Sequence, residues 1–241
     1  MILTKNIHTG ETRSDVARLI TERILSVADS HDRPIHVALS GGSTPQSLFE
    51  YWLERPDELI RQRIHFWWVD ERMVPMVESE SNYGNAYRTF FGVANYPREL
   101  LHPIEYVEGL TTAEAAERYG AALEQSQAAE ARQHALDVVV LGMGDDGHTS
   151  SLFPGQDLYR VGQRYIASVN PYNGVERVAL SYQGALESPL VLFHVLGSAK
   201  RPMLERVLRP KSPEDRMLPA AYVMEQAPVA ELYTDIAISI P

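Results

Sequence analysis

Residues 35–54 read IHVALSGGSTPQSLFEYWLE, and this stretch contains the pattern that decides the fold. Its first five residues are apolar apart from one histidine, which is typical of a short buried strand. The polar segment SGGSTP follows, and the next nine residues are compatible with a helix. A strand, a tight loop and a helix in this order form the repeating unit of an α/β protein.

The same alternation continues along the chain. We predict further strands at residues 64–69, 138–141, 165–169, 178–180 and 190–195. We predict helices at residues 16–27, 82–91, 113–125 and 203–208. This alternation predicts an open, mostly parallel sheet flanked by helices, in a modified Rossmann-like α/β fold. Because no repeat or linker segment interrupts the pattern, residues 1–241 are expected to form a single domain.

The composition narrows the class of function. The formal net charge is -10, which argues against a general nucleic-acid or membrane-surface binder because both need a concentrated basic surface. The chain has no cysteine, which excludes disulfide bonds, thiolate metal sites and a cysteine nucleophile. We recognise neither a signal-peptide core nor an apolar run long enough for a bilayer, so we expect a cytoplasmic protein without nucleic-acid or membrane partners.

Three polar motifs follow directly on predicted strands, at residues 40–45, 70–72 and 142–149. A fourth, around Lys200, comes after the strand at 190–195. In an open parallel sheet the carboxyl ends of the strands meet the amino ends of the following helices, and ligands bind there. We therefore expect the four motifs to share one site.

The segment SGGSTP has the composition of a phosphate-binding turn. Gly42 and its neighbour Gly41 let an anion approach the backbone N–H groups closely, while Ser43 and Thr44 offer hydroxyl groups. Pro45 suits the first helical position. A plain strand-to-helix turn explains the same residues equally well, and both interpretations stay open.

Three basic residues are candidates for holding an anion. Arg72 ends the segment DER at residues 70–72, which is either a solvated turn or the rim of a site. Lys200 stands at the start of a predicted helix, where a positive charge opposes the helix dipole unless an anion lies nearby. Arg177 directly precedes the strand at 178–180. For all three, a solvated surface charge is the alternative.

Residues 142–154 read GMGDDGHTSSLFP and concentrate glycine, aspartate and histidine directly after a buried strand. A histidine titrates near neutral pH, so His148 is a candidate general base. Asp146 or Asp145 would fix its tautomer and stabilise its protonated form. The alternatives are a structural turn histidine and a metal ligand. We expect no metal, because no second histidine or cysteine pair stands at ligand spacing.

These motifs, in this order and over nearly the whole chain, resemble the 6-phosphogluconolactonases, whose fold is of the NagB, RpiA and CoA-transferase type. The resemblance implies hydrolysis of 6-phospho-D-glucono-1,5-lactone, the second intermediate of the oxidative pentose phosphate pathway, without metal or organic cofactor. The implied partner is this small sugar-phosphate lactone. The matching segments are ALSGGSTP, WVDERMVP, SNYGNAYR, LGMGDDGHTSSLFPG and VLGSAKRPMLERVL.

The resemblance also implies roles for particular residues. His148 matches the catalytic histidine, and Asp146 matches the aspartate that precedes it by two. One departure concerns residues 170–180, which read NPYNGVERVAL where many relatives carry a Lys-Pro-Pro run, so the role of Arg177 within the substrate-binding set stays open. The full set of substrate-binding and phosphate-binding candidates is Gly42, Ser43, Thr44, Arg72, Lys200 and Arg177.

Two other functions fit the same fold class. Glucosamine-6-phosphate deaminases have a similar loop, but they place a glutamate a few residues past the histidine, and here the first carboxylate after His148 is Asp157. A sugar-phosphate sensor that regulates transcription needs a DNA-binding module, and we recognise no helix-turn-helix segment in this acidic chain. The sequence is compatible with a monomer or a homodimer.

Overall fold

The computed structural model describes residues 6–157 and 162–238, and seven strands of this part of the chain form one parallel sheet. The ten strands in the described ranges are β1 (Ile7–Thr9), β2 (His36–Leu39), β3 (His65–Trp68), β4 (Asp70–Arg72), β5 (Leu101–His102), β6 (Val138–Leu141), β7 (Tyr165–Val169), β8 (Glu176–Leu180), β9 (Val191–Val195) and β10 (Ala230–Thr234). The order in the main sheet is β1, β10, β9, β6, β2, β3, β5. The predicted α/β fold with an open parallel sheet is confirmed.

The remaining three strands form a second, antiparallel sheet in the order β4, β8, β7. The strands predicted at 165–169 and 178–180 therefore exist, but they lie outside the main sheet. The chain leaves β3 through Val69, whose carbonyl accepts a hydrogen bond from the backbone N–H of Leu180 at 2.6 Å. The segment DER is thus not a solvated turn, because it continues β3 into the second sheet and its two carboxylates are buried.

Helices cover both faces of the main sheet, and the predicted helical segments are confirmed with small shifts at their ends. The α-helices of the described ranges are α1 (Arg13–Asp29), α2 (Gln46–Glu54), α3 (Pro56–Arg61), α4 (Asn82–Ala86), α5 (Thr112–Ala129), α6 (Tyr182–Leu186), α7 (Arg201–Leu208), α8 (Pro213–Arg216) and α9 (Pro219–Gln226). A π-helical turn, Tyr87–Phe91, extends α4. Among these helices, none has the length and apolar character that a membrane span requires.

The aromatic residues of β3 fix how the helices pack, because alternate side chains point to opposite faces of the sheet. Phe66 packs against Trp52 of α2 and Phe91 of the π-helical turn. On the other face, the ring of Trp67 meets Tyr119 of α5 edge to face, with centroids 5.6 Å apart. All five side chains are buried, so β3 is covered on both faces of the sheet.

Candidate active site

A cleft of about 250 Å³ opens at the carboxyl ends of β2, β3, β6 and β9. This is the edge at which the sequence predicts the four polar motifs to meet. Asp146 does not line the cleft, but it contacts His148, which does. The other predicted site residues all line the cleft, and they are Gly42, Ser43, Thr44, Arg72, His148, Arg177 and Lys200.

His148 and Asp146 form a hydrogen-bonded pair at the cleft. Nδ1 of His148 lies 2.6 Å from Oδ1 of Asp146, and the backbone N–H of His148 donates to the same oxygen at 3.1 Å. Burial opposes ionisation of Asp146, but the hydrogen bonds from His148 and Tyr172 outweigh it and hold the pKa of this carboxyl well below its usual range. An ionised Asp146 can only accept, so Nδ1 carries the proton and Nε2 has a free lone pair.

The Nε2 atom of His148 has no hydrogen-bond partner within residues 6–157 and 162–238, and 30% of the side chain is exposed. The second aspartate of the loop has another role, because Asp145 pairs with Lys200 at 3.0 Å. Of the two aspartates that the sequence leaves open as partners of the histidine, Asp146 is therefore the one in contact.

Backbone geometry explains the glycines of this loop. A Cβ atom at position 144 would lie 2.1 Å from Nδ1 of His148, so only glycine leaves room for the histidine and its aspartate. Gly147 has a φ of +85°, a conformation that favours glycine. The hydroxyl of Thr149 donates to the carbonyl of Gly142 at 2.7 Å and closes the loop. The loop holds the imidazole ring from several sides.

The turn between β2 and α2 presents its backbone to the cleft. The N–H groups of Gly41, Gly42, Ser43 and Thr44 have no acceptor in the described part of the chain, and Gly42 has a φ of +88°. These residues line the cleft at the amino end of a nine-residue helix, which is a favourable place for an anion. The geometry favours the anion-binding interpretation over the plain turn.

Ser40 fixes this turn to the histidine loop. Its hydroxyl donates to the carbonyl of Val140 at 2.9 Å and accepts from the backbone N–H of Gly142 at 3.0 Å. Both partners belong to β6 or to the loop that follows it. The turn between β2 and α2 and the histidine loop are thus joined through the half-buried hydroxyl of Ser40.

Lys200 approaches the cleft from the turn before α7. Its ammonium group donates to the carbonyl of Met143 at 2.7 Å and contacts Asp145, whose side chain is 87% exposed. An ammonium group has three donors, so one remains for a ligand. Its neighbour Arg201 donates instead to the carbonyl of Ala237, outside the cleft.

Two arginines enter from the second sheet, where Arg72 of β4 and Arg177 of β8 are paired in register. Burial lowers the pKa of Arg177, and the nearby carboxylate of Asp70, 3.7 Å away, opposes this shift. Arg72 donates to the carbonyl of Glu80. The Nε atoms of both arginines are buried without a partner in the described residues. Both arginines line the cleft, and their partnerless Nε atoms leave them able to donate to a ligand there.

The acidic residues of the DER segment have structural roles that the sequence did not indicate. Glu71 accepts four hydrogen bonds, including those from the backbone N–H groups of Asn82 and Tyr83 at the start of α4, while burial raises its pKa. Asp70 accepts from the buried hydroxyl of Ser151 at 2.5 Å. From sequence, a carboxylate directly after a strand is expected to be solvated. Here the second sheet buries both carboxylates.

One group of side chains in the described residues has donor atoms close enough for a metal ion, but it lies at the amino ends of β2 and β3. His36, His65 and Glu130 bring three such atoms within 4.8 Å of one another. The indole N–H of Trp67 donates to Nδ1 of His36 at 2.9 Å, so the ring proton is on Nε2 and points to Glu130. A metal at Nε2 would need an imidazolate, so this donor set does not fit an ion.

The family model and the relatives that match this chain point to the same protein family. The model of the family "Glucosamine-6-phosphate isomerases/6-phosphogluconolactonase" matches residues 9–233. The 6-phosphogluconolactonase of Haemophilus influenzae is 32% identical over 208 residues, which are 86% of this chain and 87% of that protein. The one from a Nostoc species is 35% identical and covers 79% of this chain and 78% of its own length.

A solved structure leads to the same conclusion. The crystal structure of devB protein superposes with a TM-score of 0.81, at 30% sequence identity, over 95% of each chain. The predicted resemblance is confirmed by the family model, the relatives and this structure together. This chain, with its histidine loop and glycine-rich turn at one sheet edge, belongs to the glucosamine-6-phosphate isomerase and 6-phosphogluconolactonase family.

Proposed function

We propose that this protein hydrolyses 6-phospho-D-glucono-1,5-lactone to 6-phospho-D-gluconate. The observation that carries the proposal is the free Nε2 of His148, whose Nδ1 atom lies 2.6 Å from Asp146. The same cleft contains the turn that we propose binds an anion. The names of the relatives support the same substrate. Within the family, the alternative chemistry is deamination, and residues 149–156 supply no carboxylate for it.

A lactone is a cyclic ester, so its hydrolysis needs an activated water and a proton for the leaving ring oxygen. In the proposed mechanism Nε2 of His148 removes a proton from water as the oxygen attacks C1. The carboxylate of Asp146 then stabilises the imidazolium through Nδ1. When the tetrahedral intermediate collapses, the C1–O bond of the ring breaks and the imidazolium returns its proton to the ring oxygen. Water is consumed and the histidine is regenerated.

The phosphate serves as a handle that positions the lactone carbonyl near His148. The turn of Gly42, Ser43 and Thr44 offers backbone donors, and Lys200 offers its remaining N–H. Binding energy from this remote group orients the reacting carbon, which is how a single histidine becomes effective.

Arg72 and Arg177 provide the remaining positive charge of the cleft. Each guanidinium is held by an acceptor of its own, Arg72 by the carbonyl of Glu80 and Arg177 by the hydroxyl of Ser151 at 3.3 Å. We propose that both arginines hold negative charge of the substrate, since both line the cleft and the Nε atom of each has no partner in the described residues. We also propose that residues 1–241 act as one domain, since the cleft draws side chains from residue 40 to residue 200.

The test is a lactonase assay on the wild-type protein with freshly prepared 6-phosphogluconolactone. We expect turnover well above spontaneous hydrolysis, and a kcat/KM at least about 100-fold lower for gluconolactone without phosphate, because the handle is missing. A rate equal to spontaneous hydrolysis would overturn the proposed function. Release of ammonia from glucosamine 6-phosphate would replace it with a deaminase.

A further inference from the structure

Tyr172 contacts the histidine and aspartate pair from an unexpected direction. Its hydroxyl donates to Oδ2 of Asp146 at 2.6 Å, while Oδ1 of the same carboxylate accepts from His148 at 2.6 Å. The three side chains therefore form a continuous chain of hydrogen bonds that ends at the free Nε2 of the histidine. Tyr172 itself does not line the cleft.

Tyr172 is 71% exposed, but hydrogen bonds fix the turn that carries it. This turn connects β7 and β8, and the backbone N–H of Tyr172 donates to the side chain of Asn170 at 2.8 Å. The N–H of Gly174 donates to the carbonyl of Asn170 at 2.9 Å, with a glycine φ of +71°. These bonds set the direction of the tyrosine before its hydroxyl meets the carboxylate.

Phe153 completes the arrangement. Its ring centroid lies 4.8 Å from that of His148 and 6.3 Å from that of Tyr172. The tyrosine hydroxyl and the imidazole contact different oxygens of Asp146, and the ring of Phe153 lies near both of their rings. Phe153 is itself buried, which limits how far either partner can move.

We propose that Tyr172 is a positioning residue that acts on His148 through Asp146. A carboxylate held only by the histidine can rotate about its side-chain bond, and the imidazole would follow. A second donor on the other oxygen stops this rotation and keeps Nε2 directed at the cleft. This inference rests on the proposed function for its kinetic test, although the geometry stands on its own.

The hydroxyl of Tyr172 remains a donor over the whole working range of pH. Its hydrogen bond to Asp146, with a smaller effect of partial burial, raises the pKa of the phenol above its usual value. The tyrosine lies in the segment NPYNGVERVAL, where the sequence departs from the family pattern. The positioning contact is therefore supplied by the part of the chain in which the family pattern gives no guidance.

The kinetic test compares Tyr172→Phe with the wild type, because phenylalanine keeps the ring and removes only the donor. We expect kcat to fall about 5- to 20-fold with KM unchanged, which is less than the full effect of a hydrogen bond to a charged group because Tyr172 acts only through Asp146. In an Asp146→Asn background the same change should cause less than about a twofold further loss, because the two residues act as one unit. The control is Tyr106→Phe, an exposed tyrosine outside the cleft, which should match the wild type.

A second measurement does not depend on turnover. In protein labelled with nitrogen-15 in its histidine rings, the Nδ1 proton of His148 should shift or broaden in Tyr172→Phe and stay unchanged in Tyr106→Phe. An unchanged resonance, an unchanged kcat, or an equal loss in the Asp146→Asn background would each overturn the positioning role. If the wild type has no lactonase activity, the proposed function fails while the resonance still tests the contact.

Discussion

Histidines occupy both ends of the main sheet, and the two places differ in what the ring nitrogens can do. At the carboxyl ends of the strands, His148 has one nitrogen on a carboxylate and the other free. At the amino ends of β2 and β3, the rings of His36 and His65 stack 4.3 Å apart, and the ring of His102, the last residue of β5, extends this stack at 5.2 Å from His65. Nδ1 of His65 and Nε2 of His102 are 2.8 Å apart, so these rings bond to each other.

The comparison shows that a carboxylate partner alone does not make a histidine a candidate general base. His36 also has one, since its Nε2 lies 3.1 Å from Glu130. The difference is the second nitrogen, which accepts from Trp67 in His36 and is open in His148. When both nitrogens of a buried ring are hydrogen-bonded, the ring can stabilise the fold, but it has no lone pair for a substrate proton. The next four predictions test this contrast, beginning with the largest expected effect.

Replacing the histidine with the free nitrogen should abolish most activity without harming the fold. For His148→Ala we expect kcat to fall roughly 10²- to 10⁴-fold, the usual contribution of a general base. The free energy of unfolding should change by less than about 1 kcal/mol, since the ring is partly exposed. Steady-state kinetics and urea unfolding measure the two quantities. Near wild-type turnover, after subtraction of spontaneous hydrolysis, would remove His148 from the mechanism.

In the histidine stack we expect the reverse: a substitution should lower stability and leave activity nearly unchanged. The change His36→Ala leaves the N–H of Trp67 without an acceptor and creates a cavity, so the free energy of unfolding should fall by about 2–4 kcal/mol. The kcat of the folded variant should remain within about twofold of the wild type, because the ring is at the other end of the sheet. Urea unfolding monitored by tryptophan fluorescence measures the stability. A stable variant that has lost its activity would contradict the division between the two ends.

Acid should weaken the stack. Burial, helped by the charge of Arg132, lowers the pKa of His36 to about 2, and burial with the neighbouring His65 lowers that of His102 to about 4. Below the ordinary value of 6.5, the unfolded chain binds protons that the folded rings do not, so the free energy of unfolding falls as the pH drops from 6.5 towards 4. At pH 5 the loss is about 2 kcal/mol for each ring.

The measurement is urea unfolding at pH 7 and at pH 5. The control is His36→Gln, which keeps a polar side chain but cannot titrate, and its stability should depend less steeply on pH. Equal slopes for the wild type and this variant would show that the stack does not resist protonation.

The smallest effect is expected at the phosphate end of the cleft. In Lys200→Ala we expect KM to rise about tenfold with kcat nearly unchanged, since a remote contact binds substrate and transition state equally. The matched control is Lys211→Ala, on an exposed segment outside the cleft, which should leave both constants unchanged. A KM equal to that of the wild type would exclude Lys200 from substrate binding.

Much of the site follows from local sequence. The loop that carries Asp146 and His148 could be recognised because it is compact and follows a buried strand. The carboxyl ends of parallel strands share one edge, so the convergence of this loop with Gly42 and Lys200 could be predicted as well. In each case the information lies within a few residues, or in a general rule about sheets.

What the sequence did not predict depends on contacts between distant segments. Tyr172 reaches Asp146 across 26 positions, and nothing in its own surroundings marks it. Asp70 and Glu71 follow a strand and read as solvated, yet the second sheet buries them. The edge strand β1 and its neighbour β10 were also missed, and their pairing joins distant segments, since Ile7 lies opposite Leu232.

The missing side chain at position 144 has a consequence for sorting related sequences. Since any Cβ there would occupy the place of the imidazole, even alanine forces the histidine away from its aspartate. Under the proposed mechanism, a homologue that keeps the histidine and the aspartate but carries another residue at this position should be a poor lactonase. The glycine would then be a criterion for separating active members of the family from degenerate copies in genome surveys.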